Sequence, residues 1–436
     1  MNKTAAFKAI CLLWFGSLAG AGCAFLTQVL LARTLGRHDF GAFSAALGSI
    51  TLVAPLAGLG VAQYWLKAFG QEGWAAIRWL RPSLSFIALG SLLLMAAIGA
   101  WALLARHEPQ SQKLLLILSL YGLGQLAVEL VSSKLQVEER YLHLALWQFL
   151  PHFLRCLLVA MMALALPLPV AAESYAGVFA GVAGVFLLLA IAPLRRMAHG
   201  QLQLQGHGPR SAPSPGHQAP GMGQVIAGSW PFGIAALSHL IYFQSNIVLL
   251  KYLSGNSAAG VYSVAFALMG AVYLLPGVMY QRFLLPKMHR WARQEPETFY
   301  QVYRQGNRLM LLLGVLALVL IVLGADWAVS LLFGQAYQEA GPVLKILSLS
   351  APLSFLAFSA GATLVTQEHM KTKVRYMALV ALLNVPLNLM LIALFDVRGA
   401  ALATVLSNGL LLWLYVRGAR RLVFHTRYGE PSRRIF

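Results

Sequence analysis

The sequence predicts an all-α membrane protein of about twelve transmembrane helices, arranged as two six-helix lobes. Three observations predict it. Only 11% of the 436 residues are charged and 59% are hydrophobic, with a mean hydropathy of +0.69, whereas a water-soluble domain carries about a quarter charged residues. Twelve stretches approach the roughly 20 apolar residues that a hydrocarbon core about 30 Å thick demands of a helix. The basic residues between those stretches fall almost entirely on alternate sides.

The apolar runs cover 9–32, 40–66, 83–105, 114–133, 144–168, 175–197, 225–250, 258–285, 308–324, 343–367, 374–395 and 398–418. The first is too long for a signal-peptide core and no convincing cleavage site follows it, so it reads as a retained helix. With the N-terminus in the cytosol, 25 of the 33 Lys and Arg lie in cytosolic segments. Six lie on the opposite side (Arg33, Arg37, Arg106, Lys113, Lys251 and Arg398), and Arg155 and Lys345 fall within helices. That asymmetry is the positive-inside pattern, and it puts both termini in the cytosol. The formal net charge of +19 is then a matter of topology, with contacts to anionic lipid headgroups as its secondary consequence. No nucleic-acid partner is expected.

Cys11, Cys23 and Cys156 all fall inside apolar runs. With no loop cysteines there is neither a disulfide framework nor metal-ligand spacing, and no metal or cofactor is expected.

One low-complexity stretch, 198–224, is rich in Gly, Pro, Gln and Ser. Such a composition buries too little surface to offset the entropy of ordering it, so it is expected to be a flexible cytosolic linker. Its His199, His207 and His217 are irregularly spaced, as in a solvated linker. It divides the chain into an N-terminal lobe, 1–197, and a C-terminal lobe with a basic cytosolic tail, 225–436.

The halves repeat. Gln28-Val-Leu-Leu-Ala-Arg33-x-Leu35 leads to Gly41-x-Phe43-Ser44-x-Ala46, and Asn246-Ile-Val-Leu-Leu-Lys251-x-Leu253 leads to Gly260-x-Tyr262-Ser263-x-Ala265. An amide precedes a cation by five residues in both, and the following turn differs in length by one. Similar residues at matching places in two six-helix halves indicate a parallel duplication about an axis along the membrane normal. Gly16-x-x-x-Gly20 and Gly177-x-x-x-Gly181 read as close helix packing. Pro55, Pro151, Pro276 and Pro386 should kink helices or free carbonyls.

Ionisable groups at membrane depth are costly and usually face protein or a wet cavity. Gln148, His152 and Arg155 share one face of the fifth span by their i, i+4, i+7 spacing. Two readings stand for Arg155: a cationic wall for an anionic substrate such as a phosphate, or an ion pair with Glu129 on the preceding span, where Gln125 shares its face. His239, Tyr242 and Asn246 form a second stripe on the seventh span, either lining a cavity or packed in the core. Asn384, Asn388 and Asn408 are expected to make interhelical hydrogen bonds. Arg33 and Lys251 end the first helix of each half, placed to snorkel or to face a cleft.

No phosphate-cradling loop, no His-Glu-x-x-His and no Gly-x-Ser-x-Gly occurs, and no extramembrane loop is long enough to fold a catalytic domain. The chain is therefore not expected to be an enzyme. Acidic residues in the spans are confined to Glu129, with Asp326 and Asp396 near span ends, which weakens cation-coupled export as a function without removing it.

The run Leu31-Ala-Arg33-Thr-Leu35-Gly36-Arg-His-Asp39-Phe40-Gly41-Ala-Phe43-Ser44, leading to Gly58-Leu59-Gly60-Val61, resembles the Wzx-type polysaccharide flippases. These belong to the multidrug/oligosaccharidyl-lipid/polysaccharide (MOP) exporter superfamily. The likeness extends to the whole topology of twelve helices, two lobes, cytosolic link and basic tail. It implies a MATE-like, V-shaped pair of bundles around a basic central cavity. It implies transfer of an undecaprenyl-diphosphate-linked oligosaccharide, such as an O-antigen repeat unit, across the bacterial inner membrane by alternating access. Arg155, with Gln148, His152, His239, Tyr242 and Asn246, would line the path. Membrane lipids, and a polymerase and glycosyltransferases of the same pathway, are the implied partners. The chain departs from the lipid II flippase branch, which has two extra helices, and from the multidrug branch in lacking a carboxylate in its first helix. A cation-coupled small-molecule exporter and a membrane-embedded glycosyltransferase or polymerase remain as alternatives.

Overall fold

A computed structural model of the chain describes residues 3–165, 170–204, 220–277, 288, 291, 295–366 and 369–424. Among these residues the protein is helical throughout, with no strand. An apolar chain in a bilayer must satisfy its backbone polar groups within itself, and the helix does so segment by segment. Large apolar side chains such as Leu92, Leu188, Leu320, Leu323 and Leu382 stand mostly exposed, while Asn246, Asn384 and Asn388 are buried. That inversion suits a hydrocarbon solvent.

Nine helical stretches among the described residues are long and apolar enough to cross a membrane, fewer than the twelve runs of the sequence. Two of them are far longer than one crossing needs. Leu12–Leu104 has 93 residues and Met370–Phe424 has 55. The first begins within α1 (Lys3–Val53), which is non-helical at Gly36 (φ 74°, ψ 174°). It continues through α2 (Pro55–Gly58), α3 (Val61–Glu72), a 3-10 segment at Gly73–Trp79, and α4 (Leu80–Leu104). Then follow α5 (Pro109–Val137), α6 (Tyr141–Ala165), α7 (Ala172–Ala198), α8 (Met222–Ser254), α9 (Asn256–Gly277) and α10 (Pro296–Phe333). The chain ends in α11 (Ala340–Ser348), α12 (Ser350–Thr366) and α13 (Met370–Gly418). The last is interrupted at Asp396 (φ 52°, ψ −134°).

The chain forms two compact units. Unit 1 is Met1–Leu35 with Ala42–Leu240; unit 2 is Gly36–Gly41 with Ile241–Phe436. The division thus falls inside α8, and the short segment Gly36–Gly41 belongs with unit 2.

In unit 1, α5 packs most extensively on α7. Gly124 permits it, because a Cβ there would come within 2.5 Å of the Ala183 Cβ. The helix pair α2 and α3 is joined by Leu59 (φ 40°) and Gly60 (φ 77°), both left-handed. Gly60 is needed twice over, since a Cβ there would also strike the backbone of Gly233. One end of the unit closes over an apolar cluster that includes Trp65, Phe69 and Leu80. Of the stretch 198–224, residues 205–219 (with His207 and His217) lie outside the described residues. Its start is not loose: Leu202 and Leu204 are buried in the same cluster, and His199 Nδ1 lies 2.8 Å from the Arg195 carbonyl oxygen.

In unit 2 the two glycines that the sequence repeat pairs, Gly41 and Gly260, lie against each other. A Cβ on Gly41 would meet the Asn256 carbonyl and come within 2.8 Å of Gly260 N; one on Gly260 would meet the Arg37 carbonyl and lie 3.3 Å from Gly41 N. Each glycine meets the carbonyl four residues before the other. Arg37 Nη1 also pairs with Glu339 at 2.9 Å. The two small-residue motifs behave unlike each other. Gly16 and Gly20 meet Ala145 and His152 of α6, whereas nothing among the described residues lies within 4 Å of a Cβ at Gly177 or Gly181. The second motif therefore does not pack helices together here, a correction to the sequence reading.

Candidate functional site

The site is built on α5. Tyr121, Gln125, Glu129, Ser132, Ser133 and Gln136 recur at helical spacing, so one face of α5 is polar through the depth of an apolar unit. This face lines a cavity of about 450 Å³ inside unit 1. The opposite wall is the broken second span: Thr51, Ala54 and Pro55 on one side of the break, Ala62, Gln63 and Leu66 on the other. An unbroken helix would close over this face. Pro55 cannot supply the backbone bond that would continue α1, and the left-handed pair Leu59–Gly60 restarts the helix at an offset. The wall is pinned where Ser133 Oγ donates to the Ala62 carbonyl at 2.6 Å. On the other flank the Trp147 Nε1–H donates to the Val128 carbonyl at 3.1 Å, fixing α6 so that Gln148 lines the cavity.

Glu129 opens onto this cavity and accepts a hydrogen bond from Gln63 Nε2 at 2.5 Å; no cation among the described residues pairs with it. The Oε1 of Gln63 has no hydrogen-bond partner among the described residues. Arg155 is only 6% exposed and lies in a second space of about 10 Å³, lined also by Tyr121, Gln125, Val128 and Pro151. Its Nε donates to the Pro151 carbonyl at 2.9 Å and its Nη1 to the Tyr121 hydroxyl at 3.3 Å. The guanidinium lies over the rings of Tyr121, at 5.1 Å, and Phe179, at 5.4 Å. Cation–π contacts of this kind contribute about 0.5–2 kcal/mol, the more when desolvated. The alternative ion pair is not formed: Arg155 has aromatic and carbonyl partners, while Glu129 has Gln63.

The remaining predicted residues are not gathered around this cavity. His152, on the same face of α6 as Gln148, turns to α1, with its Cδ2 3.6 Å from where a Cβ on Gly20 would stand. His239 is exposed and belongs to unit 1. Tyr242 and Asn246 belong to unit 2, so the stripe on the seventh span is divided between units. Tyr242 is buried in the apolar core beside Phe355 and Tyr415. Asn246, 1% exposed, donates to Tyr262 Oη at 2.7 Å and Thr404 Oγ1 at 2.6 Å, and accepts from Asn388 at 2.9 Å. Arg33 is exposed at the end of the first half of α1, and the Lys251 ammonium lies over the Tyr252 ring at 5.3 Å. Gln63, Tyr121 and Gln136 were not singled out in the sequence. The i, i+4 continuation of Gln125 and Glu129 marks Tyr121, Ser133 and, one turn on, Gln136; Gln63 carries the weaker signal of a polar residue just after a Pro–Gly break.

The fold is that of the MOP-superfamily transporters. It superposes with TM-score 0.70 on the lipid II flippase MurJ in an inward closed conformation, at 13% identity, covering 94% of this chain and 87% of that one. An inward-facing MATE-family multidrug resistance transporter of the same superfamily gives 0.69 at 14% identity, covering 92% and 94%. At such identities these likenesses establish the fold. The profile of the polysaccharide biosynthesis protein family matches residues 7–291, and the chain belongs to that family. It is 25% identical over 336 residues to the succinoglycan biosynthesis transport protein ExoT of Rhizobium meliloti (strain 1021), covering 76% of this chain and 63% of that protein's length. The protein is thus a multi-pass membrane protein of a polysaccharide biosynthesis family.

Proposed function

We propose that the protein is a flippase that moves an undecaprenyl-diphosphate-linked oligosaccharide across the bacterial inner membrane by alternating access. The observation that carries this reading is the amide-lined cavity of unit 1, with a buried guanidinium separated from it by one layer of side chains. A hydrated sugar head cannot enter hydrocarbon without polar partners, whereas a polyprenyl tail can remain in lipid. Amides and hydroxyls offer sugars uncharged donors and acceptors, and Arg155 offers a diphosphate the forked, charge-assisted donors that anions select. Membership of a polysaccharide biosynthesis family supports the substrate class.

The same reading takes the breaks at Gly36, at Ala54–Gly60 with the 3-10 segment after it, and at Asp396 as divisions between spans or within one. Dividing the 93-residue stretch into three and the 55-residue stretch into two gives twelve crossings, an even number that returns both termini to the cytosol. The reciprocal contact of Gly41 with Gly260 supports a duplicated pair of halves.

Glu129 favours a second reading, cation-coupled export of a small molecule, because a carboxylate facing a cavity beside the unpartnered Gln63 Oε1 offers oxygens to a cation. Reconstituted vesicles separate the two. With a fluorescent undecaprenyl-diphosphate oligosaccharide in the outer leaflet, the flippase gives time-dependent protection from a membrane-impermeant quencher, and lipophilic cationic dyes are not moved. Dye movement without lipid protection overturns the flippase reading.

A further inference from the structure

Arg155 is buried, carries a full charge, and has no carboxylate partner among the described residues. Yet it does not line the large cavity. Tyr121, Gln125 and Val128 line both spaces, so they are the partition between them. Tyr121 is the centre of that partition. Its ring supports the guanidinium at 5.1 Å, its hydroxyl accepts from Arg155 Nη1 at 3.3 Å, and the same hydroxyl accepts from Gln125 Nε2. The guanidinium has five N–H donors in a fixed fork; two find protein acceptors here, one of them over a long distance. The space around it, about 10 Å³, is roughly what a single water requires. A phosphate-sized anion therefore reaches Arg155 only if the partition moves.

The elements around it differ in freedom to move. The α5–α7 contact is extensive and close, with no room for a Cβ at Gly124 beside Ala183, and Phe179 on α7 is packed edge-on against Phe43 at 5.2 Å. A side-chain rotation of Tyr121 and Gln125 into the 450 Å³ cavity, which both line and which has the volume to accept them, opens the partition without disturbing that contact.

From this we infer that Tyr121 is a gate on Arg155: it holds the guanidinium out of the transport cavity, and a diphosphate-type anion displaces it to engage the guanidinium. This deepens the flippase reading and rests on the same cavity. Tyr121 is a positioning residue on this view, one that lowers anion affinity by keeping the competent state a minority, since apparent affinity scales with the competent fraction. The gate would reject weakly bound anions and open for a ligand able to make two charge-assisted bonds.

The test is anion binding by the purified full chain in lipid nanodiscs, with farnesyl diphosphate as probe, farnesol as its uncharged control, and inorganic diphosphate as the lipid-free source of the same group. Tyr121→Phe keeps the ring and removes the hydroxyl. It should bind farnesyl diphosphate roughly three- to tenfold tighter than the wild type, as expected when the closed state loses the hydroxyl's long bond from Arg155 and its bond from Gln125. Tighter binding of inorganic diphosphate as well assigns recognition to the diphosphate alone; tightening confined to the farnesyl probe adds the tail to what opens the gate. In an Arg155→Gln background, Tyr121→Phe should change nothing, which a general loosening of the unit would not reproduce. Unchanged or weaker binding in Tyr121→Phe overturns the gate, as does tightening that survives Arg155→Gln or an absence of diphosphate binding in every variant. The transport reading fails separately. A protein that flips no lipid-linked oligosaccharide yet shows Arg155-dependent tightening keeps the gate and loses the flippase; one that flips without the tightening does the reverse.

Discussion

The interiors of the two units use buried polar residues in opposite ways. In unit 1 the polar face of α5 opens on a cavity, and Glu129 on that face and Arg155 on α6 are each held by neutral partners, whereas Lys134 and Glu138 at the end of α5 pair with each other at 2.7 Å. Among the described residues of unit 2 the buried polar side chains are neutral, and a cluster of them bond one another. Asn246 meets Tyr262, Thr404 and Asn388; Asn384 Nδ2 donates to Ser407 at 2.9 Å; Ser354 donates to Asn408 at 2.5 Å. In an apolar solvent a side chain with its polar partners at hand acts as glue, whereas a charge with only neutral neighbours still has bonding capacity for a ligand. On the flippase reading, the difference separates residues that hold the protein together from those proposed to meet a substrate, which span position alone does not.

The comparison breaks most visibly at Arg155. Arg155→Ala should lower flipping of a lipid-linked oligosaccharide by at least about a hundredfold, the scale of losing two charge-assisted bonds of about 1.5–3 kcal/mol each, with membrane insertion and abundance unchanged. Wild-type flipping in that variant removes Arg155 from the path.

Asn246→Leu should do the converse. Three interhelical bonds worth about 0.6 kcal/mol each, and more where partners are left unsatisfied, amount to about 2–3 kcal/mol. Thermal unfolding in detergent should begin several degrees lower while activity per folded molecule holds. A loss of activity without a loss of stability would make the amide cluster functional.

Glu129→Gln sharpens the contrast within unit 1. The amide can still bond Gln63, so flipping measured without an ion gradient should stay within about threefold of the wild type, a difference under about 1 kcal/mol. Complete loss favours the cation-coupled reading. The smallest effect is expected at Gly177→Ala with Gly181→Ala. Each added methyl meets open space, and alanine is the better helix former, so the midpoint should stay or rise by the equivalent of about 0.5 kcal/mol per site; a marked fall would mean that these glycines pack against a partner.

Much of this was legible in the sequence. Period and length marked the helices, because a bilayer imposes both, and the polar i, i+4 pair Gln125–Glu129 lay on the cavity face. Arg155 stood out as a charge in an apolar run. Its partner did not: spacing along α6 says nothing of which aromatic on α5 or α7 it will meet, and the acid one helix away was only one of two readings. The stripe His239–Tyr242–Asn246 is regular on its helix, yet α8 is shared by two units: His239 is exposed in unit 1, while Tyr242 and Asn246 are buried in unit 2. Gly36 and Asp396 merge neighbouring runs into single long helical stretches, since one left-handed residue turns a chain without the Gly–Pro clusters that announce a loop.

Cysteine accessibility tests the central claim most directly. In a background with the native cysteines replaced, Ser132→Cys on the cavity face of α5 and Ser407→Cys in the amide cluster of unit 2 are exposed to a membrane-impermeant thiol reagent. Reaction should occur at position 132, slowed by undecaprenyl-diphosphate oligosaccharide and not by undecaprenol, with position 407 inert. Reaction and substrate protection at 407, with 132 silent, would place the path in the other unit and contradict the account.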